Sequence, residues 1–103
     1  MKTHVFALAL LAPLTSTAPA FADQALATAK NCMSCHTLER KVVGPAFKDV
    51  AAKYAGYKAA ADRLATKIQK GGSGVWGPVP MPSNTQVNDA EAKKLAAWVL
   101  TIK

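Results

Sequence analysis

The sequence predicts an all-α fold of about four short helices. In several stretches the apolar residues recur at the spacing of one helical face. Glycine and proline separate these stretches, and no segment shows a convincing strand pattern. The chain also lacks internal repeats and low-complexity segments, so we expect a single small domain.

The first three helices are predicted from capping residues and from glycine and proline. Asp23 can cap a first helix that continues through Lys30. Gly44-Pro45 begins a second, short helix, and Gly56 ends it. The third helix covers about 59–70 and stops at a pair of glycines. The apolar positions of the second and third helices are Phe47, Val50, Ala51, Tyr54, Ala61, Leu64, Ala65 and Ile68.

The fourth helix has the clearest start. Asn88 and Glu91 have the spacing of a capping box, with Asn in place of the usual Ser or Thr. Before it, residues 73–84 contain three prolines and two glycines, which predicts a long irregular loop of the kind that often carries function. An apolar stripe continues from the cap to the end of the chain, with Ala92, Leu95, Ala96, Val99 and Ile102, and we expect Trp98 to take part in the packing of this helix.

Residues 1–22 have the pattern of a cleavable secretory signal peptide. A basic start is followed by an apolar run, and the segment ends in Ala-Phe-Ala, an A-x-A cleavage site. The alternative is a membrane anchor, but the apolar run is shorter than the ~20 residues that a spanning helix needs. Cleavage after Ala22 would leave residues 23–103 as the mature domain, and Ala18-Pro19-Ala20 is a second possible site.

The predicted mature domain is small and basic. Residues 23–103 carry twelve Lys and Arg against six Asp and Glu, a net charge of +6. A domain of this size buries too little apolar surface to be very stable alone. We therefore expect it to be poorly folded without an apolar group that adds to the core.

The two cysteines of the chain belong to one motif. Cys32, Cys35 and His36 form C-x-x-C-H, the attachment pattern of c-type haem. Cysteines three positions apart lie on one side of a helical turn, so both can bond the vinyl groups on one porphyrin edge. The adjacent imidazole can then ligate the iron. The sequence thus predicts one covalently attached haem c.

Three other interpretations of the motif remain. C-x-x-C also occurs in dithiol redox sites and in zinc sites, and an exported protein could hold a plain disulfide. A dithiol site of the thioredoxin kind needs a βαβ context, and structural zinc needs four ligands where the motif offers three. The adjacent histidine and the export signal favour haem.

Elimination leaves Met81 as the sixth iron ligand. His36 is the only histidine of 23–103, which excludes a pair of histidines. Met33 lies inside the attachment motif and cannot reach the opposite haem face. Met81 is flanked by two prolines, which limit the conformations of its loop. The alternative is that Met81 only fills a gap in the core.

The motifs together resemble a known family. Residues 31–36 (NCMSCH), 43–45 (VGP), 74–82 (GVWGPVPMP) and the last helix occur in the order and spacing of the short class I bacterial cytochromes c. These are small periplasmic monohaem carriers of the five-fifty-one/five-fifty-two type. The resemblance implies a class I cytochrome c fold with a partly exposed haem edge. Ser83 stands where many relatives have a second proline, which loosens the loop slightly.

The resemblance also implies the haem contacts. Thioether bonds would form at Cys32 and Cys35, with His36 and Met81 as axial ligands.

Supporting roles follow from the same resemblance. The Pro45 carbonyl would accept a hydrogen bond from the distal nitrogen of His36. Trp76 would donate its indole N–H to a haem propionate, and Asn84 would donate to the Met81 sulfur or steady its loop. Alternatively, Pro45 only begins a helix, Trp76 belongs to the core and Asn84 to a turn. Lys67 would approach a propionate or simply be solvated.

Two iron ligands from the chain would leave no open position for a substrate. This arrangement suits single-electron transfer between respiratory redox proteins rather than catalysis, so we expect no enzymatic activity. Electrons would cross a haem edge bordered by a small apolar patch, including Val79 and Pro82, and by lysines. The positive charge favours donors and acceptors with acidic docking surfaces. We expect a periplasmic monomer, and export argues against nucleic acid as a partner.

Two rival functions remain open. A weakly bound Met81 would allow a haem-based gas or peroxide sensor, or a catalytic module. Catalysis would need distal acid–base groups, and no loop pairs a carboxylate with an arginine near Met81. The chain could also be the electron-entry subunit of a larger oxidoreductase, which the sequence does not separate from a free carrier.

Overall fold

The computed structural model describes residues 9–13 and 21–103 of the chain. Most of the predicted signal peptide, including residues 1–8 and 14–20, lies outside the described residues. No helix within the described ranges is long and apolar enough to cross a membrane.

The described part of the chain is helical, which confirms the predicted all-α class. Extended pairing in residues 9–13 and 21–103 is limited to two isolated bridges, one between His36 and Lys41 and one between Gly72 and Met81. The helices are α1 (Phe21–Ala29), α2 (Phe47–Lys53), α3 (Ala60–Lys70) and α4 (Asp89–Val99), with a 3₁₀ turn over Cys32–Ser34.

The centre of the fold is α4, which packs against the other three helices and most extensively against α3. The predicted capping box is present: Asn88 Oδ1 accepts from the Glu91 backbone N–H at 2.8 Å, and the Asn88 N–H donates to Glu91 Oε1 at 3.2 Å. The helix then buries Ala92, Leu95, Ala96 and Val99 of the expected stripe, together with Trp98. The cap fixes where α4 begins, and the apolar stripe determines which face packs against the core.

Several predicted helix bounds are wrong by a few residues. Helix α1 begins at Phe21, so Asp23 lies in its first turn rather than at its cap, and α2 ends at Lys53, before Gly56. The second helix begins at Phe47 rather than at Gly44-Pro45, because Ala46 has extended backbone angles, φ −60° and ψ 140°. The fourth helix ends at Val99, so Ile102 is not part of it. At this end the Trp98 carbonyl accepts from the Thr101 backbone N–H at 2.9 Å and from the Thr101 hydroxyl at 2.6 Å, in place of the partner that a continuing helix would supply.

The third helix ends where it was predicted to end. Gly71 has φ +71° and ψ −163°, a region that is almost restricted to glycine, and its N–H donates to the Lys67 carbonyl at 2.8 Å. Residues 72–84 then run without helix, as predicted from their prolines and glycines. The chain thereby leaves α3 and returns along one side of the helices.

Candidate haem-binding site

A cleft lies between this loop and the helices. Its walls are apolar and include Phe47, Leu64, Ile68, Leu95 and Trp98. The sequence-predicted site residues all line it, although they come from distant parts of the chain: Cys32, Cys35, His36, Pro45, Trp76, Met81 and Asn84.

The attachment motif enters the cleft through a turn in the backbone. Asn31 has φ +67°, a left-handed conformation that asparagine tolerates better than most residues, and it redirects the chain from α1 into the 3₁₀ turn. The backbone N–H groups of Cys35 and His36 both donate to the Cys32 carbonyl, at 3.2 and 3.1 Å. This tight turn presents two half-buried thiols and the imidazole to the same cleft.

The environment of Cys32 disfavours one alternative interpretation, the dithiol redox site. Burial raises the pKa of the Cys32 thiol, with a smaller opposing effect from a backbone hydrogen bond. A dithiol redox site needs the opposite, a lowered thiol pKa. Within residues 9–13 and 21–103, no group of three or more His, Cys, Asp and Glu side chains is arranged to hold a metal ion, so the structure offers no support for zinc.

His36 is oriented by a hydrogen bond from its ring. Its Nδ1 lies 2.7 Å from the Pro45 carbonyl oxygen. Because a carbonyl can only accept, Nδ1 carries the proton and Nε2 keeps its lone pair. A ring nitrogen held in this way is the usual partner of a metal-binding Nε2.

Close packing also fixes the His36 ring. Its ring stacks on Phe47, with centroids 4.8 Å apart and 20° between the planes. On another side, a Cβ added to Gly44 would lie 2.5 Å from His36 Cε1, closer than any side chain can fit. From the sequence, Phe47 was predicted as an apolar position of the second helix, and Gly44 as part of a helix start and of the 43–45 motif. Neither contact has a signal in spacing or composition.

Met81 is held through its backbone. Met81 N–H donates to the Gly72 carbonyl at 2.8 Å, and Gly72 N–H donates to the Met81 carbonyl at 3.0 Å. The chain passes so close that a Cβ on Gly71 would collide with the Met81 carbonyl and come within 2.8 Å of Ser83 N. The backbone pairing between Gly72, at the start of the loop, and Met81 thereby places the Met81 thioether at the cleft.

Asn84 fastens the far end of the same loop. Its Nδ2 donates to the carbonyl of Ile68 on α3 at 2.8 Å and to that of Pro82 at 3.4 Å. Its backbone N–H also reaches the Ile68 carbonyl, at 3.3 Å. These contacts would steady the loop, and the role of Asn84 beside the haem stays a prediction.

The rim of the cleft is apolar and positively charged. Trp76 is 40% exposed, and Lys53 Nζ lies 5.6 Å from its ring centroid, within range of a cation–π interaction. Val79 is 60% exposed. Lys67 is half-buried, lines the cleft and places its Nζ against Gly72. Lys41 also lines the cleft, and none of its described lining residues is an Asp or a Glu.

The donor set of the cleft fits covalently attached haem. Two thiols lie on one turn, an imidazole has a free Nε2, a thioether lines the same cleft, and the walls are apolar. Four short helices around such a cleft define a small monohaem cytochrome.

The comparison with known proteins gives the family. A cytochrome c family model matches residues 23–103, and the chain belongs to that family. It is an electron-transfer protein that carries one covalently attached haem c.

Similar proteins match most of the chain. It is 64% identical over 83 residues to cytochrome c-552 of Hydrogenobacter thermophilus, which covers 81% of this chain and 84% of that protein. It is 48% identical over 105 residues to cytochrome c-551 of Stutzerimonas stutzeri, with both chains covered completely. The crystal structure of cytochrome c552 of Nitrosomonas europaea has a TM-score of 0.76 and 59% identity, covering 78% of this chain and 99% of that one. These likenesses confirm the class I cytochrome c fold.

Proposed function

We propose that Cys32 and Cys35 form the two thioether bonds to haem and that His36 Nε2 and Met81 Sδ are the axial ligands. The observation that carries this assignment is that these four side chains, which come from two separate segments of the chain, line the same apolar cleft. When bound, the haem supplies an iron centre that accepts and releases one electron.

The chain around the cleft would keep both iron ligands in place during electron transfer. Pro45 holds the His36 ring through Nδ1, and the backbone pair with Gly72 holds Met81. Because both ligands are fixed independently of charge on the iron, little has to rearrange when the oxidation state changes. A histidine–methionine pair in an apolar site also favours the reduced state and raises the reduction potential.

The described lining of the cleft offers few groups for acid–base catalysis at the iron. It contains Lys41, Lys67 and Tyr54 but no carboxylate and no second histidine, and His36 is already bonded to the Pro45 carbonyl. Acid–base chemistry on a bound peroxide most often uses a histidine or a carboxylate in reach of the reacting group. This favours a non-enzymatic carrier over a catalytic module.

The docking surface would be the exposed rim of the cleft. Val43, Val75, Trp76 and Val79 are each at least 40% exposed, and Pro82 is exposed beside them. Lys41 and Lys67 line the same cleft, and Lys53 lies over Trp76. An apolar contact surrounded by positive charge suits redox partners with acidic surfaces, whose approach it would accelerate at low salt.

The location follows from the leader. Residues 1–22 have the signal-peptide pattern, and cleavage after Ala22 would leave the segment 23–103 that the family model matches. The protein would then act in the periplasm as a monomeric carrier between respiratory proteins.

Carbon monoxide binding to the reduced holoprotein tests the ligand assignment. Met81→Ala removes the proposed sixth ligand, whereas Met33→Ala removes the other methionine of 23–103 and serves as the matched control. We expect rapid carbon monoxide binding to Met81→Ala and an unchanged spectrum for wild type and Met33→Ala. Rapid carbon monoxide binding to the wild type at neutral pH would overturn the assignment. A Met81→Ala protein that does not bind carbon monoxide would overturn it as well.

A further inference from the structure

Gln86 makes a set of contacts that the proposed electron-transfer role does not explain. Its side-chain Nε2 donates to the Lys30 carbonyl at 3.0 Å and to Asn84 Oδ1 at 3.1 Å. The side chain is exposed, so neither bond is needed to satisfy a buried group. One amide therefore joins two parts of the chain that are 56 positions apart.

The bond to Asn84 determines which way the Asn84 amide faces. The acceptor oxygen and the donor nitrogen of an asparagine side chain lie in one amide plane and point in different directions from Cγ. With Oδ1 occupied by Gln86, Nδ2 points to the carbonyls of Ile68 and Pro82. Pro82 directly follows Met81, so this orientation places a donor on the loop one residue beyond the proposed ligand.

The bond to Lys30 is one of a reciprocal pair. Lys30 Nζ donates to the Gln86 carbonyl at 3.0 Å, while Gln86 Nε2 donates to the Lys30 carbonyl. Lys30 Nζ is also 3.2 Å from Glu91 Oε2 on α4. Since Lys30 lies two positions before Cys32, the pair ties the end of the Met81 loop to the start of the haem-attachment segment.

We propose that Gln86 is a positioning residue for Met81, which it holds indirectly by orienting the Asn84 amide and by linking the loop to Lys30. The inference rests on the proposed ligation by Met81. Because the contacts are exposed hydrogen bonds, their loss affects the loop more than the whole fold.

The test is the equilibrium binding of imidazole to the oxidised holoprotein, in which imidazole competes with Met81 for the iron. Gln86→Ala removes both donated bonds and lowers the imidazole dissociation constant about tenfold. Gln86→Glu keeps the length but replaces the donor with an acceptor facing Asn84 Oδ1. It lowers the constant at least as much.

Gln69→Ala is the matched control. Gln69 is another glutamine with two side-chain bonds, to the Val87 carbonyl at 3.2 Å and to Asp89 Oδ1 at 2.8 Å, and these lie beyond Asn84. Denaturant unfolding should show similar losses of stability for Gln69→Ala and Gln86→Ala, while imidazole affinity changes only for the Gln86 variants.

The outcomes separate the inference from the proposal beneath it. Equal imidazole affinity in wild type and both Gln86 variants overturns the role of Gln86, as does an equal change in Gln69→Ala. Wild-type protein that binds carbon monoxide at once in its reduced form overturns the ligation by Met81 itself. Both the role of Gln86 and the ligation by Met81 are supported if imidazole affinity changes only in the Gln86 variants and the reduced wild-type protein does not bind carbon monoxide.

Discussion

The two segments that would ligate the iron are held in different ways. On the histidine side, His36 is enclosed by Phe47 and by the bare Cα of Gly44, and its ring makes one short hydrogen bond to Pro45. On the methionine side, Met81 is held through backbone pairing with Gly72. Its loop neighbours are mostly exposed and are fixed by side-chain amides at the far end.

This difference indicates how the His36 segment and the Met81 segment should each respond to substitutions. A ring confined by close packing moves only when its neighbours move, because packed interiors leave little free space. A loop held by individual hydrogen bonds can open locally, since each exposed bond contributes only about 0.5–1.5 kcal/mol net. The methionine side is therefore the one that should respond to single polar substitutions.

The largest expected effect is on the scaffold beneath both segments. Leu95 on α4 is 2% exposed and lines the cleft, so Leu95→Ala leaves a cavity and costs about 2–5 kcal/mol of unfolding free energy. Denaturant unfolding of the holoprotein measures it. Because Leu95 supports both ligand segments, we expect its loss to weaken the binding of the iron by His36 and by Met81 together, without a selective loss of Met81.

Gly71→Ala should weaken the ligation of the iron by Met81. Alanine at φ +71° and ψ −163° is strained, and its Cβ would collide with the Met81 carbonyl, at a combined cost of about 2–4 kcal/mol. We expect imidazole to bind this variant more tightly than Gly56→Ala. That control also has positive φ, +76°, but its Cβ would meet no atom. Equal imidazole affinity in the two variants would contradict the account.

Gly44→Ala should act on the histidine side alone. Its Cβ would have to displace the His36 ring, which costs about 1–3 kcal/mol through overpacking. The Nδ1 proton of His36 should exchange with solvent faster in the variant, as NMR can measure, because the bond to Pro45 is disturbed. The account would be contradicted if Gly44→Ala left the exchange rate of the His36 Nδ1 proton unchanged but weakened the ligation by Met81.

The smallest effect concerns pH and the cap of α4. The Asn88 backbone N–H, followed by Lys30, lowers the pKa of Glu91. The ionised carboxylate thus stabilises the fold at neutral pH, and this contribution disappears as pH falls from the usual glutamate range, about 4.3, through the lowered value. Glu91→Gln should flatten the fall in unfolding free energy across that acid range. Asp62→Asn, outside the capping box, controls for loss of a charge.

Local signals in the sequence predicted the elements that depend on neighbouring residues. The Asn88–Glu91 box, the stop at Gly71 and the C-x-x-C-H turn all act within a few positions. The start of α2 was misplaced because the extended conformation of Ala46 has no separate sequence signal. Ile102 keeps the helical spacing although the helix has already ended at Val99.

Contacts between distant segments were less accessible to sequence reasoning. The approach of Gly44 to the His36 ring depends on how the chain folds back after the motif. The pairing of Gln86 with Lys30 joins residues 56 positions apart. Spacing and composition carry no information about such contacts. Cys32, Cys35, His36 and Met81 were predicted from their ligand chemistry, whereas Pro45, Trp76 and Asn84 were predicted only from the family resemblance.

The most direct test of the central claim is an NMR spectrum of the reduced holoprotein with labelled methionine methyl groups. A methyl group held over the haem face experiences the ring current of the porphyrin, which shifts its signal far upfield. We predict this shift for Met81 and an ordinary position for Met33, with assignment by Met33→Ala. A Met81 methyl signal at an ordinary position would show that its sulfur does not hold the iron, and the proposed coordination would be wrong.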